Sequence, residues 1–167
     1  MYTYHIEKID NSNSKEFQLN FDTYFQEKSK QIEDFLKENC VYNICAKFNN
    51  QIVGSMGVMK YDIIPELPEI KEDHWQFFHL LVHPDHRNQG IALGIIRMAV
   101  KFLINLGAKK IRNHKRENII PHTVFTDMGF ELINFDDEKL DYKWTYELDV
   151  SKADINKLKE IWSHYSV

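Results

Sequence analysis

The stretch Leu80–Val100, LLVHPDHRNQGIALGIIRMAV, decides how the rest of the chain is arranged. The apolar run Phe77–Val82 ends at His83-Pro84, where proline has no N–H to give a sheet, so a strand stops there. The polar segment Asp85-His86-Arg87-Asn88-Gln89-Gly90 follows. Apolar residues then recur at Ile91, Ile95, Ala99, Phe102 and Leu106, which is one face of a helix. Gly107 directly after them suits the left-handed position that closes a helix. The order is therefore strand, glycine-containing loop, helix. The first N–H groups of a helix lack intrahelical partners, and the macrodipole is positive at that end. The backbone N–H groups of Arg87–Ala92 can cradle a phosphate there, with Gly90 allowing close approach and Arg87 adding a permanent charge. On spacing alone, an ordinary turn with a solvated arginine accounts for the pattern equally well.

The residue types tip that balance. Arg87-Asn88-Gln89-Gly90-Ile91-Ala92 resembles the R/Q-x-x-G-x-G/A signature of the GNAT-type N-acetyltransferases, and Leu80-x-Val82-x-Pro84 resembles the strand that precedes it in that family. Asn118, Phe125 and Gly129-Phe130 are similar to the family's N-x(6)-Y-x(3)-G-F segment. Two matches in the right order are far more specific than one, and together they span roughly Trp75–Phe130. The resemblance implies an α/β (α+β) fold: a mixed, mostly antiparallel sheet of about six to seven strands flanked by helices, here with an extra C-terminal helix. It implies one acetyltransferase-like domain over residues 1–167. It also implies acetyl-CoA as co-substrate, held by Leu80, Leu81, Val82, Arg87, Asn88, Gln89, Gly90, Ile91, Ala92, Asn118 and Phe125, and the primary amine of a small molecule or protein as acceptor.

Composition sets the outer limits. With 167 residues, 43% hydrophobic and 28% charged, the chain can bury one sizeable core. A formal net charge of −4 argues against a general partner among nucleic acids or anionic membranes. The start, MYTYHIEKID, shows no signal-peptide pattern, and no run approaches the roughly 20 apolar residues of a membrane span. Cys40 and Cys45 form no metal-type pattern, so a reducing, cytoplasmic setting is the expectation. A homodimer is compatible with everything above.

The remaining elements follow from pattern. Tyr2–Ile9 alternates as a first strand, and Asn11-Ser12-Asn13-Ser14 reads as a turn and helix cap. Phe17–Leu36 reads as one helix or two short ones broken near Lys28-Ser29; the resemblance implies that this region lies beside the acceptor site, where Phe21, Tyr24 and Phe25 either line it or pack in the core. Val41–Phe48 and Ile52–Met59 form a hairpin across Asn49-Asn50-Gln51, with Gly54 and Gly57 marking a bulge or a close approach. The acidic loop Asp62–Asp73 either draws a cationic amine or is merely solvated. Trp75–Val82 is apolar on both faces, hence a central strand. Lys109–Lys115 is a strand whose Lys109, Lys110, Arg112 and Lys115, with Arg116 beyond, either attract the adenosine phosphates or form a solvated edge. A short helix Ile119–Met128 with Pro121 in its first turn, a strand Phe130–Phe135, a turn at Asp136–Lys139 and a strand with Tyr142, Trp144, Tyr146 and Leu148 follow. Ser151 caps a terminal helix reaching Tyr165.

Amine acetylation needs an amine without its proton, and a lysine-like amine has a pKa of about 10.4. A base or a desolvating pocket must remove that proton, N–H donors must meet the developing oxyanion, and an acid near the thiolate helps it leave. In the family a glutamate base occupies the position of Gln76, and a tyrosine acid that of Phe125. Glutamine accepts no proton at neutral pH, and phenylalanine has none to give. His79 and His74 are the candidate replacement bases, since histidine titrates near neutrality. His79, His83 and His86 share a strand and loop rather than a helix face, and no acid or cysteine completes a zinc set, so no metal is expected. The departures at Gln76 and Phe125 keep a second reading open, an acyl-CoA-binding domain with little or no catalysis.

Overall fold

The computed structural model describes residues 1–8, 42–60, 73–115, 120–133 and 144–164. Seven strands are β1 (Thr3–Lys8), β2 (Tyr42–Phe48), β3 (Gln51–Lys60), β4 (His74–Val82), β5 (Lys110–Lys115), β6 (Glu131–Ile133) and β7 (Trp144–Asp149). They form one sheet in the order β1-β2-β3-β4-β5-β7-β6. Every neighbouring pair is antiparallel except β4 beside β5. A parallel pair needs a long crossover, and helix α1 (Ile91–Asn105) supplies it.

The β2–β3 hairpin closes in two residues, with Phe48 opposite Gln51. Asn49 and Asn50 both have positive φ, 51° and 63°, the combination whose twist suits a two-residue hairpin. Asparagine reaches that region at modest cost because its short side chain bonds locally. Gln51, expected in the turn, is instead the first residue of β3.

Helix α1 buries Ile91, Ile95, Ile96, Met98, Ala99, Val100 and Leu103 to 1% exposure or less. A 15-residue helix is marginal alone in water. Each fully buried Ile, Leu, Met or Val contributes about 1.5–3 kcal/mol, so packing on β2, β3 and β4 rather than propensity holds it in place. Gly107, at φ 86°, closes it as the pattern requires.

The terminal helix differs from its sequence reading. Ser151 does not cap it; Val150–Lys152 is a separate 3-10 turn in which Asp149 accepts from the Ser151 backbone and hydroxyl. The helix proper, α3 (Ile155–Ser163), is capped by Asp154, whose carboxylate accepts from Asn156 and Lys157 N–H groups at 3.1 Å. A carboxylate is as good an N-cap as serine and also favours the positive helix end. Leu158 and Trp162 of α3 are buried, and α3 packs on α1. Between them in the chain, α2 (His122–Thr126) starts after Pro121, which stands at its N-cap rather than within its first turn. The expected helix of residues 17–36, with Phe21, Tyr24 and Phe25, lies outside the described residues, as do Cys40, positions 62–72, Arg116, Asp136–Lys139, Tyr142 and Tyr165.

Candidate functional site

Strands β4 and β5 run side by side only from His74↔Lys110 to Phe77↔Asn113, while β4 continues to Val82. The sheet therefore forks. Beyond Phe77 the β5 side of β4 has no strand partner among the described residues. On its other side β4 stays with β3, but the register slips by one. Phe78 faces Gly57 and Leu81 faces Ser55, so His79 and Leu80 together oppose Met56. This is a β-bulge, and its extra residue reverses the alternation of side chains. Phe77 opposite Val58 and Val82 opposite Gly54 consequently lie on one face, the face of α1; a Cβ on Gly54 would stand 3.0 Å from Ile91 and Ile95. Leu80, Leu81 and Val82 line the fork half-buried.

The chain leaves β4 through a tightly bonded loop. The His83 N–H donates to Val53 O at 2.8 Å, and Pro84–His86 forms a single 3-10 turn. Arg87 turns back on the strand, its Nε donating to Val82 O at 3.0 Å. The Tyr2 hydroxyl donates to Gln89 Oε1 and lies 3.0 Å from His86 Nδ1. Asn88 and Gly90 have φ of 58° and 77°. Gly90 is the N-cap of α1 and offers no side-chain bond to the first N–H groups. Among the described residues, its chain neighbours aside, nothing lies within 4 Å of where a Gly90 Cβ would be. An uncapped helix start, open space above it and Arg87 beside it make a place for an anion.

The opposite face of the sheet is polar, with Gln76 buried and its charged neighbours half-buried. Register places Gln76, Arg112 and Glu147 in one row across β4, β5 and β7. Glu147 accepts from Lys110 Nζ at 2.8 Å and Arg112 Nε at 2.6 Å. Burial pushes the Glu147 carboxyl up, but those two bonds outweigh it and hold the group below the usual carboxylate range. Lys109 pairs with Asp73 at 2.7 Å. The described cations of β5 and its approach are thus engaged by acids, and Asp73, the one described residue of the acidic loop, holds a lysine of this chain. Gln76 is 1% exposed, and its Oε1 has no hydrogen-bond partner among the described residues.

Because the Glu147 carboxyl is held low in the folded state, its contribution is present above about pH 4.3 and lost as pH falls through the folded value. Glu147→Gln should cost about 1.5–3 kcal/mol at pH 7, the worth of hydrogen bonds to a charged group. In urea titrations the gap to the wild type should narrow on acidification. A gap that stays constant down to pH 3 would mean that Glu147 is not the group that titrates.

The remaining sequence candidates are dispersed. His74 is buried at the start of β4, about 20 Å along the strand from Leu80 at roughly 3.3 Å per residue. The backbone of His79 lies in the bulge, and its side chain is outside what is described. Asn118 also lies outside the described residues. Phe125 is fully buried; its ring stacks on Tyr146 at 5.1 Å and meets Phe130 edge-on at 5.6 Å. Sequence reasoning missed Tyr2 altogether. The alternation puts it in the first strand, which begins instead at Thr3, and no local signal shows its bonds to residues 84 and 87 positions away.

Comparison with known proteins follows the same lines. The model of the acetyltransferase (GNAT) family matches residues 6–130. Human N-acetyltransferase 8 is 32% identical over 66 residues, 40% of this chain, and the match spans 27% of the human protein's length. A GNAT family acetyltransferase from Brucella melitensis in complex with acetyl-CoA superposes with a TM-score of 0.63 at 15% identity, over 88% of each chain. YhbS from Escherichia coli in complex with CoA gives 0.66 at 12% identity, over 95% of this chain and 86% of that one. A CoA-dependent acyl-homoserine lactone synthase, BjaI, with SAM and isopentyl-CoA gives 0.70 at 13%, over 98% and 89%. At these identities the structural likeness is one of fold.

Proposed function

Since the chain belongs to the acetyltransferase (GNAT) family, we propose that it moves an acetyl group from acetyl-CoA to a primary amine of a small molecule or protein. The observation that carries this reading is the fork of β4 from β5 beside the uncapped start of α1. Solved relatives of the same fold hold acetyl-CoA and CoA. Here the pyrophosphate lies against the loop Arg87–Ala92, where Asn88 and Gly90 turn the backbone. The pantetheine arm follows the edge of β4 at Leu80–Val82, which has no strand partner among the described residues, an amide-bearing chain beside strand amides. An N–H of that edge meets the thioester oxygen as it gains charge, when such a donor stabilises most. The match to the family pattern gives Asn118 a bond to the pantetheine arm and puts Phe125, buried in the core, at the position of the family's tyrosine.

Gln76 cannot serve as the base. His74 is too far along β4, which leaves His79, at the bulge, as the group that takes the amine proton. Attack by the amine nitrogen on the acetyl carbon breaks the carbon–sulfur bond, and CoA leaves as the thiolate.

The test is a panel of amines, small polyamines, amino acids and peptides with free lysines or N-termini, followed by release of free thiol from acetyl-CoA. Turnover with at least one acceptor supports the reading. Gln76 and the buried Phe125 favour one alternative, an acyl-CoA-binding domain; tight CoA binding with no turnover across the panel would establish it. Absence of CoA binding would remove both.

A further inference from the structure

Strand β1 is at the edge of the sheet, three places from β4, yet it reaches the loop that follows β4. The Tyr2 ring lies 5.2 Å from Phe48 and 5.8 Å, edge-on, from His86, which itself lies 5.2 Å from Phe48 and 5.3 Å from His83. The Tyr2 hydroxyl has one proton. It donates that proton to Gln89 Oε1, so the contact with His86 Nδ1 must run the other way, from an Nδ1–H of His86 to the tyrosine oxygen. The two bonds grip the loop on either side of Arg87 and Asn88, and Asn88 is left-handed, a conformation an unrestrained loop leaves easily. The grip therefore fixes the orientation of the amides leading into Gly90 and Ile91.

We infer that Tyr2 is a positioning residue for CoA: it touches neither CoA nor the reacting atoms, but its hydroxyl holds the phosphate-binding loop in the form that receives the pyrophosphate. The inference rests on the reading of that loop as the CoA site. Order built in before binding is not charged against affinity when the ligand arrives.

Tyr2→Phe keeps the ring and removes only the hydroxyl, so the packing against Phe48 and His86 survives. Calorimetry with CoA should show binding weakened about five- to tenfold, the loss of about one hydrogen bond. Pantetheine, which has no pyrophosphate, should compete for the wild type and the variant equally. Equal CoA affinity in the two proteins overturns the inference while leaving the CoA site intact. Equal weakening toward CoA and pantetheine also overturns it, since a general loosening would then be the cause. Wild-type protein that binds no CoA overturns the site itself, and the inference with it.

Discussion

Gly90→Val is expected to weaken CoA binding between about five- and 150-fold. The range comes from about 1–3 kcal/mol of backbone strain at about 1.4 kcal/mol per tenfold. Gly90 has φ 77°, where a β-branched side chain is a true outlier. Among the described residues, chain neighbours aside, no atom stands within 4 Å of the added Cβ, so no described side chain collides with it. The strain is relieved by turning the peptide that joins Gly90 to Ile91, and this swings the first helical N–H out of the anion site. Calorimetry with CoA measures the loss, and a melting curve confirms that the fold survives. Gly90→Asn separates the two ways of failing. Asparagine tolerates the left-handed backbone, so affinity close to wild type would assign the valine effect to strain, whereas equal losses would assign it to occupied space. Undiminished binding by Gly90→Val would remove this loop from the CoA site.

A loss of stability at least as large as that of Glu147→Gln is expected from Gly94→Ala, in the first turn of α1. A Cβ there would stand 2.1 Å from the Tyr4 hydroxyl, 2.3 Å from Cζ and 2.6 Å from Cε1. Helix propensity favours alanine by about 1 kcal/mol. Overpacking typically costs about 1–3 kcal/mol, and a rigid ring this close places the cost at the upper end or above. The collision outweighs the propensity, and a net loss of about 2 kcal/mol or more should appear in urea titration. Tyr4→Phe will not relieve it, because two of the three colliding atoms are ring carbons. Tyr4→Val combined with Gly94→Ala should recover part of the loss. Since Tyr2 stands directly before β1, displacement of the strand should lower CoA affinity in the same variant. A Gly94→Ala protein as stable as the wild type would show that β1 can slide off α1 without cost.

Much of this architecture was legible because its signals are local. Pro84 ended a strand, Gly107 ended a helix, and the three-to-four spacing placed Ile91, Ile95 and Ala99 on the buried face of α1; the expected continuation fails at Leu106, which lies past the helix end and is 45% exposed. The clean alternation of Trp144, Tyr146 and Leu148 placed β7 and assigned its aromatics to the core, where Tyr146 is 1% exposed. Element ends were less legible where two residues compete for one role. Ser151 and Asp154 are both good caps three residues apart, and the hydrogen bonds that Ser151 makes to Asp149 remove it from the competition.

The bulge at His79–Leu80 was not legible, because the run Phe77–Val82, apolar except for His79, carries no phase. An extra residue in such a run changes which face each side chain takes without changing any pattern that can be read. The fate of the basic strand was also hidden: Lys110 and Arg112 face one acid, Glu147, that is 37 and 35 residues away. What the sequence determined by itself is the strand-loop-helix with its glycine, since turn stereochemistry and helix periodicity depend on neighbours in the chain. What only the tertiary structure decided is the fork beside β4, the neutralisation of β5 and the hold of β1 on the loop, since each depends on which distant strand lies alongside.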